Sequence, residues 1–283
     1  MAHRIAHPAL RAVALLAAAA SLACGGAGDG AQLPRPAPGT KRGVAYGFQS
    51  PAELRALTPQ VTWWYDWSTH PDAPMAGDAD AEFVPMVWGG QFDVDQVIRD
   101  IPQGAKYLLA FNEPNFKSQA NLTAAQAAAL WPAIEQIADA RGLAIVSPAV
   151  NYCGPSSACN GTDPFQYLRD FFAACPGCRV DHVAVHWYAC DSSALAWYLD
   201  QAAAFGKPIW LTEFACGDGD AQQTSLAGQE AYMTAAVAAL EADPRVFRYA
   251  WFADGRAVPN VALTADGALT ALGRTYAAAG AAR

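Results

Sequence analysis

The chain has 283 residues, of which 53% are hydrophobic and 16% are charged. This composition excludes a disordered or collagen-like protein and allows one large domain or two small ones. Its 26 acidic residues outnumber its 18 Lys and Arg, for a formal net charge of −8, so we expect binding neither to nucleic acid nor to an anionic membrane surface.

The first 24 residues have the pattern of an export signal. Arg4 and Arg11 precede a run of Ala, Val and Leu that ends in small residues and is too short for a membrane-spanning helix. Residues 21–24 read Ser-Leu-Ala-Cys, which resembles a bacterial lipobox, so lipid attachment at Cys24 and simple cleavage remain two alternatives. No later segment is long and apolar enough to span a membrane. The sequence therefore predicts a secreted, extracellular protein or a bacterial cell-surface lipoprotein.

A linker and one large domain follow the signal. Residues 25–40 are rich in Gly, Ala and Pro and are typical of an extended tether. We expect residues 41–283 to form one domain that works as a monomer.

Short apolar or β-branched segments recur along this domain, and helical segments separate most of them. The predicted strands are Gly43–Phe48, Val61–Tyr65, Phe83–Trp88, Tyr107–Phe111, Leu143–Val150, Val180–Trp187, Pro208–Phe214 and Val246–Phe252. The predicted helices are Val94–Ile101, Ala124–Ala140, Phe165–Ala174, Ala194–Phe205, Leu226–Leu240 and about Ala268 to Ala279. Continuous apolar strands alternating with amphipathic helices are typical of parallel strands covered on their outer faces.

This alternation predicts an α/β fold, a single (β/α)8 TIM barrel with short or missing early helices. A doubly wound sheet is the competing fold. It is disfavoured because no glycine-rich turn follows the first strand and no nucleotide-binding motif is present.

The cysteines agree with export. Six remain after Cys24, and an even number in an exported chain indicates three disulfides. Spacing favours the pairs Cys153 with Cys159, Cys175 with Cys178 and Cys190 with Cys216, although the sequence alone leaves other pairings open. The spacing of Cys175-Pro-Gly-Cys178 also occurs in redox and zinc motifs, but no second close pair accompanies it.

Two glutamates lie at predicted strand ends, where TIM barrels carry their chemistry. The fourth strand is followed by Asn112-Glu113-Pro114, and the seventh ends in Thr212-Glu213-Phe214. Because these strands lie nearly opposite each other in a ring of eight, the two carboxyl groups should meet across the mouth. A retaining glycosidase requires two carboxyl groups about 5–5.5 Å apart. We expect Glu113 to be the general acid/base and Glu213 to be the nucleophile, kept ionised by neighbours such as Tyr188 or His186.

Other polar residues at the strand ends have weaker patterns. Asn112 is placed to bind the sugar 2-hydroxyl group. His182 and His186 share one face of the sixth strand; we expect His186 to bind sugar or orient a glutamate, and His182 to lie in the core. A third ligand at matching spacing is missing, so we expect no metal.

Aromatic residues at strand exits are candidates for stacking against sugar rings. We expect Trp88, Tyr188 and Trp251 to line the cleft. Trp64 and Tyr65 are further candidates, although these two and Trp67 cannot all face inward. We assign Trp63, Trp131, Trp197 and Trp210 to the core.

At these residues the sequence resembles glycoside hydrolase family 128, a group of retaining β-1,3-glucanases with a clan A (β/α)8 barrel. The resemblance runs from about Lys41 to Tyr276. Its most specific segments are residues 108–114, 119–122, 146–149, 180–188 and 208–216. It implies that Glu113 is the acid/base, that Glu213 is the nucleophile, that the substrate is a β-1,3-glucan, and that no metal or organic cofactor is needed.

The sequence therefore predicts an endo-β-1,3-glucanase that binds β-glucan oligo- or polysaccharides. A β-1,4-glycanase or β-mannanase would use the same pair of glutamates. A non-catalytic glucan-binding protein would keep the aromatic residues and lose turnover, but the presence of both glutamates favours an enzyme.

Overall fold

The structure is a computed structural model that describes residues 39–48, 50–75, 81–154 and 156–280. The predicted export signal, Cys24 and all but the last two residues of the predicted linker lie outside the described residues. The first strand begins at Arg42, next to the predicted start of the domain at Lys41.

Parallel strands form a ring at the centre of the described domain. In chain order they are β1 (Arg42–Ala45), β2 (Trp63–Tyr65), β3 (Glu82–Phe83), β4 (Met86–Val87), β5 (Tyr107–Asn112), β6 (Ala144–Ala149), β7 (Val183–Trp187), β8 (Ile209–Phe214) and β9 (Val246–Phe252). β3 and β4 are two halves of one barrel strand, interrupted at Val84 and Pro85. Proline has no N–H to donate to a ladder, but the carbonyl of Pro85 still accepts from the N–H of Leu109 at 2.9 Å.

The strand order closes the ring. One sheet has the order β3-β2-β1-β9-β8-β7, and a second has the order β4-β5-β6. The two sheets meet on one side through the β3–β4 strand. On the other side, the N–H of Ser147 donates to the carbonyl of His182 and the N–H of His186 donates to that of Val150, which joins β6 to β7. These contacts complete a ring of eight strand positions and confirm the predicted TIM barrel.

Helices cover the outside of this ring. They are α1 (Pro51–Leu57), α2 (Val94–Asp100), α3 (Ala124–Arg141), α4 (Pro164–Ala174), α5 (Ser192–Ala203), α6 (Leu226–Ala242) and α7 (Ala271–Ala278). The early helices are short, as predicted: α1 and α2 have seven residues each, and the described part of the β2–β3 connection contains only a 3-10 turn at Ala73–Met75. Within the described ranges, no helix combines the length and apolar character needed to cross a bilayer.

Three local predictions were wrong. Helix α1 was missed. The last helix begins at Ala271 because Ala268–Leu269 (β11) forms a short hairpin with Thr264–Ala265 (β10). Trp197, expected in the core, lies on the outer face of α5 and is 51% exposed.

The lower interior of the barrel is packed with aromatic residues around one buried cation. The guanidinium of Arg248 lies 4.7 Å from the ring centroid of Tyr107 and 5.0 Å from that of Trp210. It also forms an ion pair of 2.7 Å with Glu82. His182 packs beside this cluster, with its ring centroid 4.7 Å from that of Phe247. These side chains form the floor below the strand ends that carry the glutamates.

Three disulfides join the cysteines in the pairs that the spacing favoured: Cys153–Cys159, Cys175–Cys178 and Cys190–Cys216. The third connects the segment after β7 to the segment after β8. It therefore ties together the chain that follows Tyr188 and the chain that follows Glu213.

Candidate active site

Irregular strand ends bring Glu113 and Glu213 to the same opening. The β5–β6 register shifts around Phe111, whose φ of +58° is left-handed, and Phe111 turns outward to pack on Trp131 of α3. The next residues, Asn112 and Glu113, then both line the cleft. A second register shift, between β7 and β8, pairs His186 with Glu213. Such bulges reorient side chains at the rims of barrels.

The two glutamates line an open cleft of about 490 Å³ at the carboxyl ends of the strands. Its walls combine aromatic rings with amide and carboxyl groups: Trp67, Trp88, Asn112, Phe116, Gln119, Asn151, Tyr188, Asp218, Phe252 and Asp254 are among the lining residues. Apolar surface with a few convergent polar groups is the usual form of a small-molecule site. The cleft lies where active sites of this fold are found.

A buried histidine lies between the two carboxyl groups. Nδ1 of His186 is 2.9 Å from Oε1 of Glu113 and 3.3 Å from Oε2 of Glu213. One carboxylate oxygen of each glutamate and a ring nitrogen of His186 all lie within 4.8 Å of one another. Burial disfavours the charged imidazolium, but the two carboxylates outweigh it and raise the pKa of His186. A carboxylate oxygen of Glu113 and one of Glu213 thus lie within 4.8 Å of each other, closer than the separation of about 6.5–9.5 Å between the carboxyl groups of inverting glycosidases.

The carboxylate of Glu213 accepts hydrogen bonds on both oxygens. Oε1 accepts from the hydroxyl of Tyr65 at 3.0 Å and from Nε1 of Trp67 at 2.8 Å, and Oε2 accepts from the hydroxyl of Tyr188 at 2.5 Å. Burial and the nearby Glu213 raise the pKa values of both tyrosines well above their ordinary range, so both remain protonated donors. Donors on both oxygens fix the orientation of the Glu213 carboxylate.

Glu113 has fewer donors. Besides His186, its Oε1 lies 3.4 Å from the amide nitrogen of Asn151. Asn151 is positioned in turn by the buried Asn115, whose side-chain amide donates to the carbonyl of Asn151 at 2.8 Å. The backbone of Glu113 is left-handed, with φ of +39°. Non-glycine residues held in this region cluster at functional sites.

The same three side chains could offer ligands to a metal ion. A tetrahedral ion with bonds of about 2.0–2.1 Å would hold its ligand atoms about 3.3 Å apart. The 2.9 Å between His186 and Glu113 is shorter and lies in the hydrogen-bond range. We therefore interpret the cluster as a set of hydrogen-bonded side chains.

The structure brings some of the predicted sugar-binding residues to the cleft. Asn112, Trp88 and Tyr188 line it, and Trp88 is 40% exposed. His186 is fully buried and contacts both glutamates, so of its two expected roles the structure favours orienting a glutamate.

Three aromatic residues lie elsewhere than expected. Trp251 points outward from β9 into the helix layer, where it packs on Phe214 and Tyr276 and its Nε1 donates to the carbonyl of Val261. Trp64 is likewise buried, between Phe48 and Phe83. Tyr65 faces inward but is fully buried, and it contacts Glu213 rather than the open cleft.

The sequence did not single out several lining residues. Asn151 lies two residues after β6, and Phe252 is the residue after Trp251 and has the opposite orientation. Their positions at strand exits make both residues candidates, but position alone does not tell which of two adjacent residues faces the cleft. Asp218 and Gln119 lie in loops, where no periodic signal reports which side chains face the cleft.

Comparison with known proteins finds relatives over most of the chain. A family model described as glycosyl hydrolase catalytic core matches residues 43–276. The chain is similar to a GH128 (subgroup II) endo-β-1,3-glucanase from Sorangium cellulosum, with 47% identity, a TM-score of 0.78, and coverage of 84% of this chain and 98% of the other. It is also similar to a GH128 (subgroup I) endo-β-1,3-glucanase from Amycolatopsis mediterranei in complex with laminaritriose, with 31% identity, a TM-score of 0.69, and coverage of 85% and 100%.

Among curated proteins, the Alkali-sensitive linkage protein 1 of Schizosaccharomyces pombe is 30% identical over 250 residues. The match covers 84% of this chain and 43% of the relative. The chain thus spans less than half the length of the curated relative.

Proposed function

The chain belongs to glycoside hydrolase family 128, and from this membership we propose that it is a retaining endo-β-1,3-glucanase with Glu213 as nucleophile and Glu113 as general acid/base. The observation that carries the assignment of roles is the unequal hydrogen bonding of the two carboxyl groups. Glu213 accepts from Tyr65, Trp67 and Tyr188, whereas Glu113 has His186 and a longer contact to Asn151. The carboxylate with more hydrogen-bond donors suits the nucleophile, and the other suits the general acid/base.

The proposed reaction proceeds through two successive displacements at the anomeric carbon. In the first, an oxygen of Glu213 attacks the anomeric carbon while Glu113 donates its proton to the departing glycosidic oxygen, which leaves as the new alcohol of the released chain. In the second, Glu113, now a carboxylate, takes a proton from water, whose oxygen attacks the same carbon and displaces Glu213. Two inversions give a product with the original β configuration.

The ring of His186 keeps the two carboxyl groups in place relative to each other during these steps. Its Nδ1 contacts both, and its full burial excludes water from the space below them. Asn112, the residue before Glu113, also lines the cleft. Its side-chain amide is the group that we assign to binding the sugar 2-hydroxyl group. A hydrogen bond there strengthens as positive charge develops on the sugar ring.

The choice of substrate rests on the relatives. The structures from Sorangium cellulosum and Amycolatopsis mediterranei are both of endo-β-1,3-glucanases, and the second holds laminaritriose. An open cleft lined by Trp67, Trp88 and Phe252 suits internal segments of a glucan. We further propose that the protein is exported, since all six cysteines of the described residues form disulfides. The monomeric state and lipid attachment at Cys24 stay predictions.

The test has two parts. Purified protein should hydrolyse laminarin or curdlan with the β anomer formed first, as read by NMR; activity confined to cellulose or mannan, or an initial α product, would contradict the proposal. Glu113→Ala and Glu213→Ala should each lose several orders of magnitude in kcat.

Azide then separates the two roles. With an activated aryl glycoside, azide should rescue Glu113→Ala by attacking the glycosyl-enzyme, which gives the β-glycosyl azide. It should rescue Glu213→Ala by direct displacement, which gives the α-glycosyl azide. The reverse pattern of products would exchange the two assignments.

A further inference from the structure

Tyr188 contacts the nucleophile from a position just beyond the paired strands. β7 ends at Trp187 and β8 ends at Phe214, and these two residues form the last pair of the β7–β8 ladder. Tyr188 is the next residue along the chain, and its hydroxyl donates to Oε2 of Glu213 at 2.5 Å. A contact of this kind is kept only when packing and further hydrogen bonds hold the side chain that makes it. The support for Tyr188 therefore has to come from outside the ladder.

The segment that follows β8, residues 215–219, provides this support, and we call it the exit segment. The N–H groups of Gly217 and Asp218 both donate to the carbonyl of Tyr188, at 2.8 Å and 3.1 Å. Gly217 also packs against the aromatic ring, because a Cβ at this position would lie 3.0 Å from Cδ1 of Tyr188. The exit segment thus contacts both the backbone and the ring of Tyr188.

The Cys190–Cys216 disulfide fastens the exit segment to the chain that carries Tyr188. Its cysteines lie two residues after Tyr188 and three residues after Glu213, and their Cα atoms are 4.4 Å apart. The exit segment also packs on the disulfide itself, since a Cβ at Gly219 would clash with Sγ of Cys190. Because a disulfide keeps its two Cα atoms within about 7 Å, the two segments cannot separate while the bond is intact.

A buried glutamine holds the same cysteine from the outer side. Oε1 of Gln229 accepts from the N–H of Cys216 at 3.2 Å, and Nε2 of Gln229 donates to the carbonyl of Cys216 at 2.7 Å. Gln229 lies on α6 and is fully buried. The exit segment is therefore bonded to the helix layer on one side and to Tyr188 on the other.

We propose that the Cys190–Cys216 disulfide is a positioning element of the active site, which holds the exit segment against Tyr188 and so keeps the Tyr188 hydroxyl on Glu213. The proposal rests on the glucanase function proposed above, with Glu213 as nucleophile. A disulfide that only stabilised the fold would change the melting temperature and leave the turnover of the folded protein unaltered. Loss of the Cys190–Cys216 bond instead lowers the turnover of protein that remains folded.

The experiment removes one disulfide at a time. Cys190→Ala/Cys216→Ala is compared with Cys175→Ala/Cys178→Ala, the matched control. The control disulfide lies between the end of α4 and the start of β7, so it is at the end of the barrel opposite the cleft. Thermal melting checks that each variant folds, and kcat/KM on laminarin is measured well below the melting temperature of each.

Cys190→Ala/Cys216→Ala should lower kcat/KM by about tenfold, as expected when a hydrogen bond to the nucleophile is lost. The control variant should stay within about twofold of wild type. Wild-type kcat/KM in the folded Cys190→Ala/Cys216→Ala variant would overturn the proposal, as would an equal loss in the control.

Tyr188→Phe shows whether the loss passes through the hydroxyl. When the disulfide is removed from the Tyr188→Phe variant, kcat/KM should change by less than about twofold further, because the hydroxyl that the disulfide holds is already gone. A general structural effect would be independent of the hydroxyl, so the two losses would multiply to about a hundredfold and would overturn the proposal.

Gly217→Ala tests the same support with the disulfide intact, and it keeps the test decisive if Cys190→Ala/Cys216→Ala does not fold. The added methyl group would displace the Tyr188 ring by a few tenths of an ångström. We expect kcat/KM to fall by about fivefold, and to fall no further when Gly217→Ala is combined with Tyr188→Phe. Gly177→Ala is its matched control, because a Cβ at Gly177 would meet nothing within 4 Å.

A Gly217→Ala variant as active as Gly177→Ala would show that the exit segment does not position Tyr188, and would overturn the proposal. Failure of the wild-type protein to cleave laminarin and curdlan would instead refute the proposed function itself.

Discussion

Protonation of His182 should make the barrel less stable in acid. The ring of His182 is only 5% exposed and packs among Tyr107, Trp210 and Phe247. In the described part of the chain neither of its ring nitrogens has a hydrogen-bond partner. Burial lowers the pKa of His182 to about 4; Asp181 opposes this effect, and the cations Arg248 and Lys207 add to it.

The size and sign of the effect follow from this pKa. An unfolded histidine has a pKa of about 6.5, and the difference from about 4 corresponds to about 3 kcal/mol. Above pH 6.5 the ring is neutral in both states, so folding has no protonation cost. Between pH 6.5 and 4 the unfolded chain binds the proton and the folded protein does not, so the free energy of unfolding falls as the pH falls.

His182→Phe should abolish this loss, because phenylalanine keeps a ring in the aromatic cluster and cannot titrate. Urea unfolding at several values between pH 7 and pH 4 should show the variant within about 1–2 kcal/mol of wild type at pH 7. At pH 4 the difference should have moved by about 3 kcal/mol in favour of the variant. Other titrating groups affect both proteins alike, so the difference isolates His182.

The exposed His70, in the segment after β2, provides the matched control. His70→Phe should leave the pH dependence of unfolding unchanged. If His182→Phe lost stability toward pH 4 as steeply as wild type, the buried ring would not be the group that resists protonation, and the reasoning would fail.

Two further predictions concern the site and its floor. Tyr188→Phe should lower kcat/KM on laminarin by about tenfold or more, and Tyr65→Phe by less. When Tyr65 is lost, Oε1 of Glu213 keeps Trp67 at 2.8 Å; when Tyr188 is lost, the contact that the described residues leave to Oε2 is His186 at 3.3 Å. Equal effects would contradict this ranking. Arg248→Met should lower the free energy of unfolding by about 3–5 kcal/mol, because among the described residues it leaves Glu82 with a single cation, Lys106, at 3.9 Å. The double variant Arg248→Met/Glu82→Leu should recover much of that loss, and a double variant as unstable as the single one would assign the effect to packing.

The architecture could be predicted because it depends on long-range periodicity. Continuous apolar strands and amphipathic helices are repeated along the domain, and each strand prediction overlaps a strand of the structure. Helices α1 and α2 have seven residues each, and of these two short helices α2 was predicted and α1 was missed. So short a helix carries less than two turns of apolar pattern.

The orientation of individual aromatic residues was less predictable. Alternation along β2 holds: Trp63 and Tyr65 face into the barrel, and Trp64 faces the outer layer. Position at a strand exit alone does not distinguish the two faces. On β9, Trp251 therefore appeared to be a cleft residue although the neighbouring Phe252 faces the cleft.

The alternation of side chains along a strand breaks down at the strand ends that line the cleft. Two adjacent residues of a regular strand point to opposite faces, but Asn112 and Glu113 both have to reach the cleft. The register shift at Phe111 and the left-handed backbone at Phe111 and Glu113 make this possible. Trp67, with φ of +63°, uses the same conformation to bring its Nε1 to Glu213. These conformations cost stability. The packed floor of Arg248, Glu82 and their aromatic neighbours lies below them and offsets this cost, while the irregular strand ends let Glu113 and Glu213 line the same cleft.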